Sequence, residues 1–245
     1  RSSELRGTRA GNVIHAIFEE IDFADPSSPA SRDLISSCLE RHRFGAEWRG
    51  TMEQMAHNVL SASLDGGSLC LSEIGAEDRL HELEFYFPAA GITPAGLAGI
   101  ILEGRKDLPA APDDIIARLG LDTVNGFVRG FIDLVFRRDG RYYILDWKSN
   151  HLGNSADDYT EERMSGAMTE HLYHLQYHIY AVALHRYLRR TLPGYRYDAH
   201  FGGAFYLFVR GVDPGAPGRG VFFDRPSAEL MERLDAYVAG GGNVG

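Results

Sequence analysis

Apolar positions recur every three to four residues over GTRAGNVIHAIFEEIDF (7–23), where Ile14, Ile17, Phe18 and Ile21 make one stripe and predict an amphipathic helix with His15 at its edge. DPSSPAS (25–31) breaks the pattern with turn residues. Two helices are predicted next, over about 31–43 and 46–63, the second turning Trp48, Met52, Met55, Ala56 and Val59 inward. LHELEFYFP (80–88) alternates as a strand does, with Leu80, Glu82, Glu84 and Tyr86 on one face and His81, Leu83, Phe85 and Phe87 on the other. The Ala-, Gly- and Pro-rich segment 89–125 is expected to hold short helices at 94–103 and 112–119. A long helix is predicted over 165–191, stopped by Pro193-Gly194, then a strand over 200–211 and a helix over 226–239. No internal repeat is visible.

The run GFVRGFIDLVFRRDGRYYILDWKSN (126–150) reads as two strands joined at Asp139-Gly140, the strongest short-range hairpin signal. In a two-residue turn, facing residues have numbers summing to 279, as Arg138 and Arg141 do. Asp133 and Asp146 then face each other, Cβ atoms roughly 4.5–5.5 Å apart. Lys148 shares their face. Ile132, Leu134, Phe136, Tyr143, Leu145 and Trp147 are assigned to one side; Phe131, Val135 and Ile144 go with the aspartates. Strands apolar on both faces are central strands. Opposed buried acids repel, and a divalent cation between them relieves that. Oxygen donors suit Mg²⁺ or Mn²⁺. The alternative is that Lys148 pairs with one aspartate and an arginine with the other. Arg129, four residues before Asp133 on the same face, suits either a phosphate or a charge pair.

The formal charge of −9 argues against a domain that grips nucleic acid through its overall field. Cys38 and Cys70 lack metal-site spacing and are expected to be small buried side chains. His171, His174 and His178 share a helix face without an acidic or thiol partner; a polar surface touching a partner or DNA is expected there rather than a metal site. No apolar run approaches the ~20 residues of a membrane span. RSSELRGTRAG has neither Met nor a signal peptide's apolar core, so a cytoplasmic fragment of a longer chain is expected.

The GxxD…DxK hairpin, here GFID and DWK, resembles the PD-(D/E)XK nucleases. Within that superfamily the sequence is most similar to the RecB-type nuclease domains of bacterial exodeoxyribonuclease V. RGTRAGNVIHAIFE, LEFYFP, GFIDLVFRRDGRYYILDWKSNHLG, LQYHIYAVALHRYLR, HFGGAFYLFVRGVD and FFDRPS carry the likeness, in order and over nearly the whole chain. The resemblance implies an α/β restriction-endonuclease-like fold, a mixed central sheet flanked by helices with a helical N-terminal embellishment. Residues 1–239 would form a single nuclease domain and 240–245 a flexible tail.

It implies a Mg²⁺-dependent deoxyribonuclease of a helicase–nuclease machine that degrades linear DNA and serves double-strand-break repair. Its partners would be DNA, the RecB helicase region, RecC, RecD and RecA. Residue by residue, it makes His15 a metal ligand with Asp133 and Asp146, and makes Asp133, Asp146, Lys148 and Glu82 the catalytic set, with Glu84 the alternative to Glu82. Gln176 and Tyr180 would contact the DNA backbone or brace the site. Trp147 replaces the tyrosine common between the Asp and Lys. A nuclease-inactive docking module for DNA or RecA is the competing reading. Iron–sulfur nucleases need four cysteines, against two here. A stand-alone restriction-type endonuclease fits the RecB likeness poorly.

Overall fold

The computed structural model describes residues 7–88, 93–101, 122–124 and 127–240. A mixed sheet runs through its centre in the order β1 (Arg79–Pro88), β3 (Phe127–Arg138), β4 (Arg141–Lys148), β5 (Phe201–Phe208) and β6 (Val221–Asp224); β2 (Asp122–Val124) also pairs with β3. The β4–β5 pair is parallel, with Asp146 beside Tyr206 and Lys148 beside Phe208, and the other pairs are antiparallel.

Helices cover both faces. On one side α1 (Thr8–Glu20), α2 (Pro29–Arg41) and α3 (Arg49–Ser61) close over Leu134, Phe136, Leu145, Trp147, Phe205 and Leu207. On the other side lie α4 (Pro94–Ile101), α5 (Glu161–Glu170), α6 (Tyr173–Thr191) and α7 (Ala228–Gly240), over Ile144, Ala204, Tyr206 and Phe208. Burial of the Ile14, Ile17, Phe18 stripe fixes α1 against the sheet, and Phe18 stacks on Trp147 with ring centroids 4.4 Å apart. Ser28 caps α2 by accepting from Ser31 N–H, with Pro29 at its first position.

The hairpin turn is as expected. Asp139 and Gly140 both have positive φ, 51° and 75°, which a two-residue turn of this hand requires. The register sum holds from Arg138–Arg141 to Leu134–Leu145.

Several expectations are corrected. The long helix is two helices, α5 and α6, because Leu172 takes a left-handed conformation, φ 59°, at the start of α6. Burial of the Leu172 side chain in the core holds this unfavourable backbone in place. Ile132 packs with Val135 and Ile144 rather than with Leu134, although their positions in the alternation differ. On β1, Leu83 and His81 divide in the same way, Leu83 against the α6 side and His81 edge-on to Phe23. The switch falls at one row, Glu82 and Asp133, where Glu82 has φ 51°. β2 and β6 were not anticipated, and the helix expected over 112–119 and the tail beyond Gly240 lie outside the described residues.

His174 and His178 are buried rather than solvated. His174 meets the Phe222 ring edge-on, and His178 Nδ1 lies 2.6 Å from the His174 carbonyl. Trp48 and Met55 are only partly buried, and of the two free cysteines only Cys38 is fully enclosed.

Candidate active site

The row that disturbs the alternation also interrupts the ladders. β1 and β3 pair at His81–Leu134 and at Leu83–Ile132, but the Glu82–Asp133 pair between them drops out. β3 and β4 pair down to Leu134–Leu145 and stop one step before Asp133–Asp146. Three adjacent strands therefore place Glu82, Asp133 and Asp146 in one row where the sheet opens.

The opening leaves the Trp147 N–H and C=O without a partner on β3, although Trp147 still lies beside Leu207 of β5, and two side chains take the place of that partner. Trp147 N–H donates to Asp133 Oδ2 at 2.9 Å, and His15 Nε2 donates to the Trp147 carbonyl at 3.1 Å. The carbonyl can only accept, so Nε2 carries a hydrogen. In the neutral ring the lone pair is then on Nδ1, which lies 3.4 Å from Asp133 Oδ2. Asp133 Oδ2 is thus turned to the Trp147 amide, with the Asp146 charge near enough to act on the Asp133 carboxyl.

Asp146 and Lys148 point toward α6. Both are buried, 2% and 8% exposed, and Lys148 Nζ lies 2.6 Å from Asp146 Oδ2. Asp146 Oδ2 nevertheless has no hydrogen-bond donor at a bonding angle, so a buried anionic oxygen is left only partly satisfied. Lys148 Nζ donates to Gln176 Oε1 at 2.9 Å and sits 3.9 Å from the Tyr173 ring centroid and 4.8 Å from that of Tyr206. Tyr206 donates to the same Gln176 oxygen at 2.9 Å, and Gln176 also bonds the buried Tyr180 hydroxyl. Gln176 and Tyr180, one helical turn apart, brace the lysine from the interior.

The electrostatics follow from this crowding. Burial first, and then the Asp146 charge, push the Asp133 carboxyl well above the usual carboxylate range; Lys148 and the Trp147 N–H oppose them. Burial lowers the His15 imidazole against the pull of Asp146. The Glu82 carboxyl is raised by partial burial, then by Glu19 and Asp146. Burial and the nearby acids also raise Tyr180 and Tyr206.

His15, Asp133, Asp146, Lys148, Gln176 and Tyr180 are thus joined by direct contacts or shared fields, with Glu82 beside them. Glu84 belongs elsewhere. It accepts from the Tyr86 hydroxyl at 2.6 Å and lies 3.9 Å from Arg129. Arg129 also sits 5.5 Å from the Phe131 ring, about 13 Å along the strand from Asp133. Among the described residues no three His, Cys, Asp or Glu side chains converge closely enough to hold a metal ion as they stand. The donors suit a hard cation nonetheless: a carboxylate oxygen without a full partner, a second carboxyl disfavoured as an anion, and an imidazole whose other nitrogen is tied to a carbonyl. Tyr173, Tyr206 and Glu19 escaped the sequence reading. Tyr173 had a signal, standing one turn before Gln176 on the same helix face.

A profile of the PD-(D/E)XK nuclease superfamily matches residues 1–241. The chain belongs to that superfamily. Among curated relatives, the PD-(D/E)XK chain is 39% identical over 235 residues to the RecBCD enzyme subunit RecB of Escherichia coli (strain K12), covering 96% of this chain and 19% of the relative. It is 36% identical over 231 residues to RecB of Haemophilus influenzae, with 94% and 18% covered. RecB of Mycobacterium tuberculosis is 34% identical over 260 residues, with 93% and 23% covered. The chain spans about a fifth of the length of these relatives. It matches a RecB nuclease domain, and the mixed sheet with flanking helices agrees with the restriction-endonuclease-like fold of the superfamily. No helix among the described residues is long and apolar enough to cross a membrane.

Proposed function

We propose that this PD-(D/E)XK chain hydrolyses DNA phosphodiester bonds as the nuclease domain of a RecBCD-type helicase–nuclease, in double-strand-break repair and degradation of linear DNA. The observation that carries the reading is the Asp146–Lys148 pair: a buried acid and a buried lysine beside a second acid, where the sheet opens. Asp133 and Asp146 would hold a Mg²⁺ or Mn²⁺ ion, with His15 Nδ1 completing the set. A bound divalent cation lowers the pKa of its water and offsets charge on the phosphate oxygens. Lys148, fixed by Gln176, orients the attacking water and neutralises charge that develops on the phosphorus oxygens. Glu82 adds an acid at the solvent side of the row. Residues 1–239 act as one nuclease unit, and RecB's helicase region, RecC, RecD and RecA are the partners in the cytoplasm.

A nuclease-inactive docking module is the second reading. It is favoured by the absence, among the described residues, of three acidic or imidazole side chains that converge closely enough to hold a metal ion as they stand. Linear and circular single-stranded DNA incubated with Mg²⁺, Mn²⁺ or Ca²⁺, beside an Asp146→Ala control, separates the two. Cleavage with Mg²⁺ or Mn²⁺ that vanishes in the control supports the nuclease. No cleavage of either substrate, with no heat of metal binding by calorimetry, supports the docking module.

A further inference from the structure

The chain leaves β4 at Lys148 and runs through Ser149 and Asn150 to His151, which with Gly153–Ala156 forms one wall of a cleft of about 370 Å³. Trp48, from the short 3₁₀ turn before α3, lines the cleft with His151, Asn154 and Arg210. The volume lies in the range of small-ligand sites. No acidic residue lines it, although the chain carries a net charge of −9. A partly buried indole, a guanidinium, an imidazole and an amide, with the neighbouring Asp158 carboxylate engaged by the Ser155 N–H and by Arg163, suit a planar base joined to a phosphate.

The cleft is fixed to the catalytic strand. Arg210 Nε donates to the Ser149 carbonyl at 2.8 Å, and Val209 N–H donates to the Lys148 carbonyl at 3.1 Å. The buried Tyr159, which also lines the cleft, donates its hydroxyl to the Asn150 carbonyl at 3.4 Å and accepts from the Leu152 N–H at 3.3 Å. His151 stands three residues from Lys148, so the segment spans at most about 11 Å. That distance is one or two nucleotides along an extended single strand.

We infer that this cleft binds one nucleotide of the single DNA strand being cut, its base stacked on Trp48 and its phosphate facing Arg210 and His151. The inference rests on the nuclease reading and adds a subsite to it. Stacking on an aromatic face tolerates any base, so the subsite grips the strand without selecting sequence.

The chain has two tryptophans, and Trp147 is buried against Phe18, so quenching on the addition of DNA reports Trp48. The full 245-residue chain carrying Asp146→Asn, in chelator, is titrated with oligo(dT); intrinsic fluorescence and the anisotropy of a labelled oligonucleotide are followed together. Saturable quenching is expected, absent in Trp48→Phe. By anisotropy, Trp48→Ala should bind about tenfold or more weakly, and Trp48→Phe should recover most of that loss. His151→Ala, an exposed loop substitution that leaves the core untouched, should bind several-fold more weakly. Equal affinity in all four chains, with no quenching, overturns the subsite while cleavage by the unaltered chain keeps the nuclease reading. Neither binding nor cleavage by the unaltered chain overturns both.

Discussion

Gln176 Oε1 receives hydrogen bonds from Lys148 Nζ and from the Tyr206 hydroxyl, each at 2.9 Å, so one amide on α6 fixes the position of the lysine on β4. The amide holds the lysine nitrogen against two aromatic rings in a largely dry setting.

Gln176→Leu should therefore lower kcat by about tenfold or more with a smaller change in KM, because it removes a brace rather than a substrate contact. Single-turnover cleavage with saturating Mg²⁺ measures this. Parent-like kcat would remove Gln176 from the positioning of Lys148.

Asp146→Ala should abolish detectable cleavage and also destabilise the fold. Breaking a buried ion pair costs about 3–5 kcal/mol when the other charge is stranded. The cost here should fall toward the low end, since Gln176 and the Tyr173 ring still hold Lys148. Urea unfolding of the two chains in chelator gives the difference, and the double variant Asp146→Ala with Lys148→Met should recover part of it.

Asp133→Asn should have the opposite effect on stability. The folded-state pKa of Asp133 is raised by burial and by Asp146, so the native chain keeps a proton that the unfolded chain has already released. Its contribution to stability is thus lost as pH rises from the ordinary carboxylate range toward the raised value. In chelator the Asn variant should match the parent at low pH and exceed it by about 1–2 kcal/mol above that window. Mg²⁺ or Mn²⁺ should raise Tm in the parent and leave the variant unmoved, since only a ligand of the native state stabilises it. Thermal scans at several pH values, with and without metal, test both.

Glu82 sits in a strand with a left-handed backbone that costs a residue with a Cβ about 1–2 kcal/mol. Glu82→Gly should raise stability by about 0.5–1 kcal/mol after glycine's own entropic cost, while cleavage falls. Glu82→Gln should lower cleavage similarly without the gain in stability. A Gly variant that is more stable and fully active would leave Glu82 as a strained residue without a catalytic share.

The parts of this site that could be read in advance are those set by local rules. Asp139-Gly140 dictates the turn, the turn dictates the register, and the register brings Asp133 and Asp146 to neighbouring positions. Glu82 is preferred to Glu84 only through the resemblance, because the choice depends on pairing with a strand about fifty residues away. The structure separates them by placing Glu82 in the interrupted row. Leu172 gave no warning of a break, having neither glycine nor proline beside it; tertiary packing imposes its conformation. His174 reads as polar because the strand that covers it, β6, is too short to signal itself, and His178 because the Tyr177 ring and the His174 carbonyl that it meets come from its own helix.

The Trp147 N–H and C=O, held on the β3 side by two side chains rather than by that strand, tie the backbone to the centre. A ligand that draws on Asp133 Oδ2 competes with that amide, and one that turns the His15 ring releases that carbonyl. Occupancy of the centre and protection of a single backbone proton are therefore written in the same bond, which makes deuterium uptake at Trp147 a direct gauge of when the centre is filled.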